Sequence, residues 1–310
     1  MVIYHSHCAD GTTSAAIALD KLGKAELLAA TYGDPPPDVT GKRVWIVDFS
    51  YPKLALERMK RDAVSIHVLD HHLTAQTDLA GLDFAEFDMD RSGAGMTWDH
   101  FHPHQPMPIF VKHIQDRDLW KFELEATRPV SAAYQFDMEQ YSDPAEKVKS
   151  TVMLLGMDET SDAYLAMIEQ GRLLSDHFSK LVANISEQAY EIDLLGERFI
   201  ACNAPGVFAS ELGNHLCMQH MLPSAVWYSD GAEVKVSLRS TNDLPDISNI
   251  ARAFGGGGHR NAAGFRAALT FMREVGCELE PEPTPDTLTQ AGLQGVQVWD
   301  VRDTPPEGMR

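Results

Sequence analysis

Short apolar runs alternate with helical stretches over the first 125 residues. Val2, Ile3 and Tyr4 form one run; a polar loop follows, and then a helical pattern at 13–22 carried by Ala15, Ala16, Ile17 and Leu19. Residues 26–31 are a weaker strand candidate, after which Pro35, Pro36 and Pro37 break the chain. The continuous run Val44, Trp45, Ile46, Val47 has the character of a strand buried on both faces, and it ends at Asp48. A helical pattern at 51–61 leads to another strand at 64–69, which ends at Asp70, His71 and His72. Strands alternating with helices predict an α/β fold, a mostly parallel sheet flanked by helices on both faces.

The pattern then changes. Residues 92–101 read as a helix, and the apolar run at 109–114 ends at Asp116, Arg117 and Asp118. From 126 to 190 the spacing is helical, with Tyr164, Ile168, Leu174, Phe178 and Ile185 marking a long connecting helix. Strand signals return at 198–202, 224–228 and 233–239, with a helical stretch at 210–218 between the first two. Four consecutive glycines at 255–258 precede His259, Arg260 and Asn261. The expected organisation is an N-terminal catalytic part at 1–125, a helical connector at 126–190, a smaller α/β part at 191–276 and an acidic, proline-rich tail at 277–310.

In open α/β sheets ligands sit beyond the carboxyl ends of the strands. Here His5, His7, Cys8 and Asp10, then Asp48, then Asp70, His71 and His72 follow three successive strands. One aspartate at a strand end is ordinarily a turn residue or a helix cap. Several carboxylates with imidazoles at successive strand ends are the donors a divalent metal requires; oxygen suits Mg²⁺ and Mn²⁺, and imidazole moves the preference toward Mn, Fe, Co or Zn. His100, His102 and His104, in a proline-containing segment, read instead as a solvated loop.

Composition limits the alternatives. Hydrophobic residues make up 44% of the 310 and charged ones 23%, as in ordinary globular proteins. The four cysteines show no C-x-x-C spacing, which argues against a zinc knuckle or a disulfide framework. Polar groups follow Met1 too closely for a signal-peptide core, and no apolar run approaches the ~20 residues of a membrane span, so a cytoplasmic protein is expected. The net charge of −19 argues against a protein that tracks long nucleic acid by releasing counterions. Between 235 and 266, however, five basic residues face two acidic ones, an electropositive island suited to phosphate.

Taken in order, these motifs resemble the DHH phosphoesterases with a C-terminal DHHA1 domain, the superfamily of RecJ-like exonucleases and oligoribonucleases. The resemblance covers about residues 1–270. Its first motif resembles the segment from His5 through Cys8 and Asp10 to Ala15, its second Asp48, its third Asp70, His71 and His72, and its fourth Asp116 to Asp118. The C-terminal signature resembles Ser237 to Ser240 followed by the glycine run and its His259, Arg260 and Asn261.

The resemblance implies two divalent ions, Mn²⁺ first, with Mg²⁺, Co²⁺ or a softer ion as alternatives. It implies Asp48 as the bridging ligand, Asp10, His71 and Asp116 as terminal ligands, His72 against the phosphate, and Asp70 orienting a histidine. Cys8 stands where an aspartate is expected. Either its thiolate is a ligand, or His5 or His7 completes the set and Cys8 packs beside it. Asp118 is the alternative to Asp116. Arg239, Ser240, Gly256, Gly257, Gly258, His259, Arg260 and Asn261 would hold the substrate across a cleft.

The activity implied is hydrolysis of short oligonucleotides or single-stranded ends to nucleoside monophosphates. Alternatives are a phosphatase on a small nucleotide such as a nucleoside bisphosphate, a linear-dinucleotide phosphodiesterase and, from a different class, a catalytically impaired nucleotide-binding regulator. The partner is a short oligonucleotide or small nucleotide, with no membrane; the oligomeric state stays open, a homodimer included.

Overall fold

The computed structural model describes residues 1–6 and 8–275. The acidic tail expected from 277 and the alternative ligand His7 lie outside the described residues. In chain order, β1 (Val2–His5), α1 (Ala9–Leu22), β2 (Leu27–Ala30), β3 (Arg43–Val47), α2 (Lys53–Asp62), β4 (Ser65–Asp70), α3 (Leu73–Asp78) and β5 (Ala85–Phe87) build the first layer system. Its sheet is parallel throughout, in the order β2-β1-β3-β4-β5. Alternation along each strand serves both faces. Ile3, Ile46, Ile66 and Val68 pack toward Leu56 and Met59 of α2, whereas Val2, Tyr4, Val47 and Leu69 pack toward the alanines of α1. Strands are added to one side of β1 and then to the other, so the crevice between the carboxyl ends of β1 and β3 is the topological switch point where such sheets bind ligands.

Helix α1 starts four residues earlier than its apolar pattern suggests. Its first turns are polar but satisfied locally: the Thr12 hydroxyl donates to the Cys8 carbonyl at 2.8 Å and that of Ser14 to the Asp10 carbonyl at 2.8 Å. Such back-bonding lets hydroxyl residues sit inside a buried helix. The early start places Asp10 in the first turn, fully buried.

Helices α4 (Gly93–Phe101), α5 (Ile109–Asp118), α6 (Thr127–Glu139), α7 (Pro144–Val152) and α8 (Asp162–Ser186) follow. The apolar run that ends at Asp116 to Asp118 is thus the helix α5. The long connector is α8; Tyr164, Met167 and Val182 are its buried apolar residues, while Leu165 and Leu173 are exposed. The second sheet contains β6 (Tyr190–Leu194), β7 (Glu197–Asn203), β8 (Ser224–Ser229), β9 (Val234–Arg239), β10 (Gly257–His259) and β11 (Ala262–Ala267), in the order β10-β11-β9-β8-β7-β6. Only β7 and β8 are parallel. Helix α9 (Ala209–His220) covers one face, while α10 (Ser248–Ala253) and α11 (Phe271–Glu274) pack on the other around Phe265 and Ile247. The glycine run forms the hairpin β10–β11. A Cβ on Gly256 would lie 2.0 Å from the Gly264 carbonyl oxygen, and one on Gly258, at φ 138°, would lie 2.5 Å from that of Ala262. These glycines let the hairpin close on itself.

Candidate metal centre

Three parallel strands deliver their last side chains to one point. His5 ends β1, Asp48 follows β3, and Asp70 ends β4 with His71 and His72 directly after it. Asp48 adopts φ 53°, a left-handed conformation uncommon for a side-chain-bearing residue. Its carboxylate faces two donor groups. His5, Asp48 and His72 form one, and Asp10, His71 and Asp118 the other, with the donor atoms of each within 4.8 Å of one another. Asp48 Oδ2 lies 3.6 Å from His5 Nδ1 and Oδ1 lies 3.3 Å from His71 Nε2. His71 Nε2 is also 3.5 Å from Asp118 Oδ2 and 3.9 Å from Asp10 Oδ2.

Both Asp48 oxygens and Asp10 Oδ2 are buried and accept no hydrogen bond. Orphaned carboxylate oxygens are costly in an interior, and those facing one another are more so. The proton affinities reflect this. Burial, then Asp118 and Asp48, push the Asp10 carboxyl well above its ordinary range, and burial raises that of Asp118 to about 6. Burial alone would lower His71, but Asp48, Asp118 and Asp10 outweigh it and raise the imidazole to about 10. Burial would likewise raise Asp48, yet His5 and His71 hold it below the carboxylate range. The protonated His71 supplies the positive charge these carboxylates demand. The arrangement fits divalent cations by donor set and by its orphaned oxygens.

The expected ligand Asp116 is a correction. Its carboxylate accepts the Glu123 N–H at 2.9 Å, the Leu124 N–H at 3.0 Å and the Thr127 hydroxyl, so it organises the loop after α5. Residues two apart on a helix point in different directions, and it is Asp118 that meets Asp10 and His71. Cys8 belongs to neither donor group. It is the residue preceding α1, and burial followed by Asp48, Asp118 and Asp10 raises its thiol well above the ordinary value, which keeps it neutral. His5 belongs to one of the two groups, with Asp48 and His72.

Asp70 has the expected orienting position. Its Oδ1 lies 2.6 Å from His72 Nδ1 and accepts the backbone N–H of His71 at 2.8 Å and of His72 at 3.2 Å. This leaves Nε2 of His72 available. Burial would lower the proton affinity of His72, but Asp70 overcomes it and raises it.

The helix at 92–101 was expected, but not that its start lies against the centre. A Cβ on Gly93 would lie 2.4 Å from Asp48 Cβ and 2.9 Å from Asp10 Oδ2, so glycine is needed for this close approach. The Ala94 N–H donates to Asp10 Oδ1 at 3.1 Å, and Ser92 caps the helix by accepting from Gly95 N–H at 3.2 Å. The available signal was Ser92 followed by glycines at 93 and 95, poor helix formers opening an otherwise helical pattern.

From the second sheet one side chain reaches the centre. The His259 ring stacks on His72 with centroids 5.1 Å apart and lies 5.9 Å from His71. Burial, then the two histidines, lowers it to about 4, so it is neutral. The other expected substrate contacts are committed elsewhere. The Ser240 hydroxyl donates to the Pro245 carbonyl at 2.6 Å, and Arg260 donates to the carbonyls of Leu244 at 2.9 Å and Asn242 at 3.2 Å. Asn261 donates to Asn242 Oδ1 at 2.7 Å, although its own Oδ1 is buried without a partner. Gly256 and Gly258 close the hairpin; beside Gly257 there is open space. Arg239 donates to Ser210 Oγ at 2.9 Å and pairs with no carboxylate among the described residues. The electropositive island is also smaller than its sequence window suggests. Asp230 and Glu233, outside that window, pair with Lys235 at 2.9 Å and Arg266 at 2.8 Å.

No family model matches the chain. It is 32% identical over 305 residues to the uncharacterized protein R106 of Acanthamoeba polyphaga mimivirus, covering 89% of this chain and 68% of that protein. Chain and viral protein belong to one family. Among solved structures, the DHH domain of PF0399, a member of the s1p family of ribosomal proteins, superposes with a TM-score of 0.55 at 14% identity, over 88% of this chain and 83% of that one. The chain shares the DHH-domain fold. A more distant relative in sequence is oligoribonuclease NrnB of Bacillus subtilis (strain 168), 22% identical over 222 residues, covering 64% of this chain and 52% of NrnB.

Proposed function

We propose that this DHH protein is a metal-dependent phosphoesterase, a phosphodiesterase that hydrolyses short oligonucleotides or single-stranded nucleic acid ends to nucleoside monophosphates. The observation that carries the reading is the Asp48 carboxylate, both oxygens buried and unpartnered, grouped with His5 and His72 and beside the second group of Asp10, His71 and Asp118. His5 and Asp48 would hold one ion, and Asp10, Asp48, His71 and Asp118 the other. Bound divalent ions supply an acidified water and charge neutralisation at phosphorus. Mn²⁺ suits the mixed carboxylate and imidazole set.

The protein's own residues position the substrate. Asp70 accepts from His72 Nδ1 and favours the charged ring, so Nε2 is a donor to a phosphate oxygen rather than a metal ligand. His259 packs over that ring and presents a neutral imidazole from the other wall, excluding water from the reacting phosphate. Residues 1–125 and 191–276 act as the metal-bearing and substrate-facing units, joined by 126–190. Cys8, the residue that favoured an impaired binding protein, stands outside both donor groups. Among the described residues no helix is long and apolar enough to cross a membrane.

The test offers the Mn²⁺-loaded protein 5′-labelled RNA and DNA from dinucleotides upward and resolves the products. Terminal monophosphates or a ladder support the reading. Cleavage confined to a nucleoside bisphosphate would replace it with the phosphatase, and no turnover with any divalent ion would leave a binding protein.

A further inference from the structure

One aromatic side chain at the metal centre has no part in either donor group. Strand β2 pairs with β1 so that Ala30 lies opposite His5, and Tyr32 follows two residues later, at the same carboxyl edge as the donors. Its ring centroid lies 5.5 Å from that of His5, 5.0 Å from that of Phe49 and 5.9 Å from that of His72. Phe49 and the Tyr51 ring against it are buried, whereas Tyr32 is 55% exposed. A single exposed tyrosine is ordinary on a protein surface. One anchored on three rings beside a metal centre is a preformed apolar platform.

The loop that carries it is braced. Asp34 Oδ2 accepts the Thr31 N–H at 2.7 Å and the Thr31 hydroxyl at 2.9 Å, and the Asp34 N–H donates back to the Thr31 carbonyl at 3.1 Å. Pro35, Pro36 and Pro37 then stiffen the chain. A ring ordered in advance loses little conformational freedom when a ligand covers it. Its place is specific as well. The His72 ring carries His259 stacked at 5.1 Å and meets the plane of Tyr32 at 79°. A cleft of about 700 Å³ opens beside the centre past Ser6 and Cys8, and Tyr32 takes no part in its lining. A substrate with its phosphate at His72 and one nucleotide in that cleft therefore has its other nucleotide beside Tyr32. Aromatic rings stack on every base, because every base has a π-face.

We propose that Tyr32 is the stacking platform for one nucleobase of the substrate, that of the nucleotide lying outside the cleft at the bond to be cut. The platform holds the base by its face and reads no sequence. His5, Phe49 and the Thr31–Asp34 turn keep the ring in place for it. The proposal rests on the nucleotide-phosphodiester reading above. It adds that the centre demands a base on that side of the scissile bond, so a phosphodiester without one is a poor substrate.

Steady-state rates of the full-length, Mn²⁺-loaded chain on a dinucleotide, and on the same dinucleotide made abasic at either position, test the pairing of ring and base. Tyr32→Ala should raise KM for the complete dinucleotide about tenfold, the scale of one base stacked on one ring. Removing the base at one position, and not at the other, should raise KM by the same factor in the parent and no further in the variant, since the two losses are one interaction. Losses that multiply, or an unchanged KM in Tyr32→Ala, would overturn the proposal. The second arm needs no turnover. The 5′-monophosphate of 2-aminopurine riboside, whose fluorescence is quenched by stacking, is titrated with the Mg²⁺-loaded chain. Quenching should be kept in Tyr32→Phe and lost in Tyr32→Leu, which retains apolar bulk over Phe49 and covers the case in which Tyr32→Ala fails to fold. No quenching in the parent, or equal quenching in Tyr32→Leu, would overturn the proposal, and a fall in metal content in that variant would make Tyr32 a brace for His5 instead. If no dinucleotide is cleaved, the nucleotide-phosphodiester reading fails, while the quenching still decides the base site.

Discussion

The two sheets treat their polar residues in opposite ways. Along the carboxyl edge of the parallel sheet, carboxylates are buried together and left without partners: Asp10 Oδ2 and both oxygens of Asp48 accept nothing, and His71 must carry a proton to balance them. In the mixed sheet, the polar residues that resemble a substrate site mostly serve their own loops, as Ser240 does with Pro245 and Arg260 with Leu244. The first region stores unsatisfied charge that an ion can claim; the second is mostly satisfied, Asn261 Oδ1 excepted, and projects one neutral histidine. The unpartnered carboxylates are therefore concentrated where parallel strands end together, and the second sheet contributes the His259 ring beside them.

The strongest test of that contrast is Asp48→Asn. Removing the shared carboxylate should reduce turnover by about 10³-fold or more, because several kcal/mol of charge stabilisation at phosphorus depend on the ions it holds. Metal analysis should show the loss of bound ions with the circular dichroism spectrum unchanged. Activity retained at even a tenth of the parent would remove Asp48 from the centre.

Next in size is the effect of pH on metal affinity. An ion must displace the proton that Asp118 holds up to about 6 and the one that His71 holds up to about 10. Both groups bind protons more tightly than usual in the metal-free fold. Affinity therefore rises with pH, by about tenfold per unit for each proton displaced, and more steeply below pH 6. The stability of the metal-free chain has the opposite dependence on pH. The raised carboxyl of Asp118 contributes stability below its ordinary value of 3.8, and this is lost as pH rises through about 6. Mn²⁺ titrations between pH 5 and 8 check the affinity; a flat profile contradicts the donor assignment.

The pair at the end of α5 gives a stability test. Asp116→Ala should cost about 1.5–3 kcal/mol, since it orphans two backbone N–H groups and the Thr127 hydroxyl. Asp118→Asn should leave the metal-free chain at least as stable as the parent, while losing metal. Urea unfolding of both variants, with and without Mn²⁺, separates the roles; equal destabilisation would contradict them.

The smallest contrast lies within the second sheet. His259→Ala should raise substrate KM by about tenfold without changing metal content, as expected when one hydrogen-bonding and packing contact is lost. Ser240→Ala should cost about 1 kcal/mol of stability and leave KM where it was. A KM effect at Ser240 would return the loop to the binding surface.

Much of the parallel sheet was legible because β1, β3 and β4 are short apolar runs, each followed by a polar cluster. Asp48, Asp70, His71 and His72 could be placed from that alone. The glycine run announced a close approach, but Gly257–His259 and Ala262–Ala267 carry too few bulky side chains to read as paired strands. The pairing of Lys235 and Arg266 with Asp230 and Glu233 depends on neighbouring strands, which a window along the chain does not see. Gly93 is a similar case: its reason lies in Asp48 and Asp10, distant in sequence.

Period and punctuation along the chain were thus sufficient for the α/β class, the order of the strands' polar ends and the donor types that meet there. Packing chose between near-equivalent residues. Asp116 and Asp118 follow the same apolar run, and only the rotation of α5 against its neighbours turns one toward the loop and the other toward His71. Cys8 and His5 flank the same turn, and only the start of α1 decides which of them joins a donor group. Rotation about a helix axis and pairing across a sheet are set by contacts remote in sequence, and these selected the site's final members.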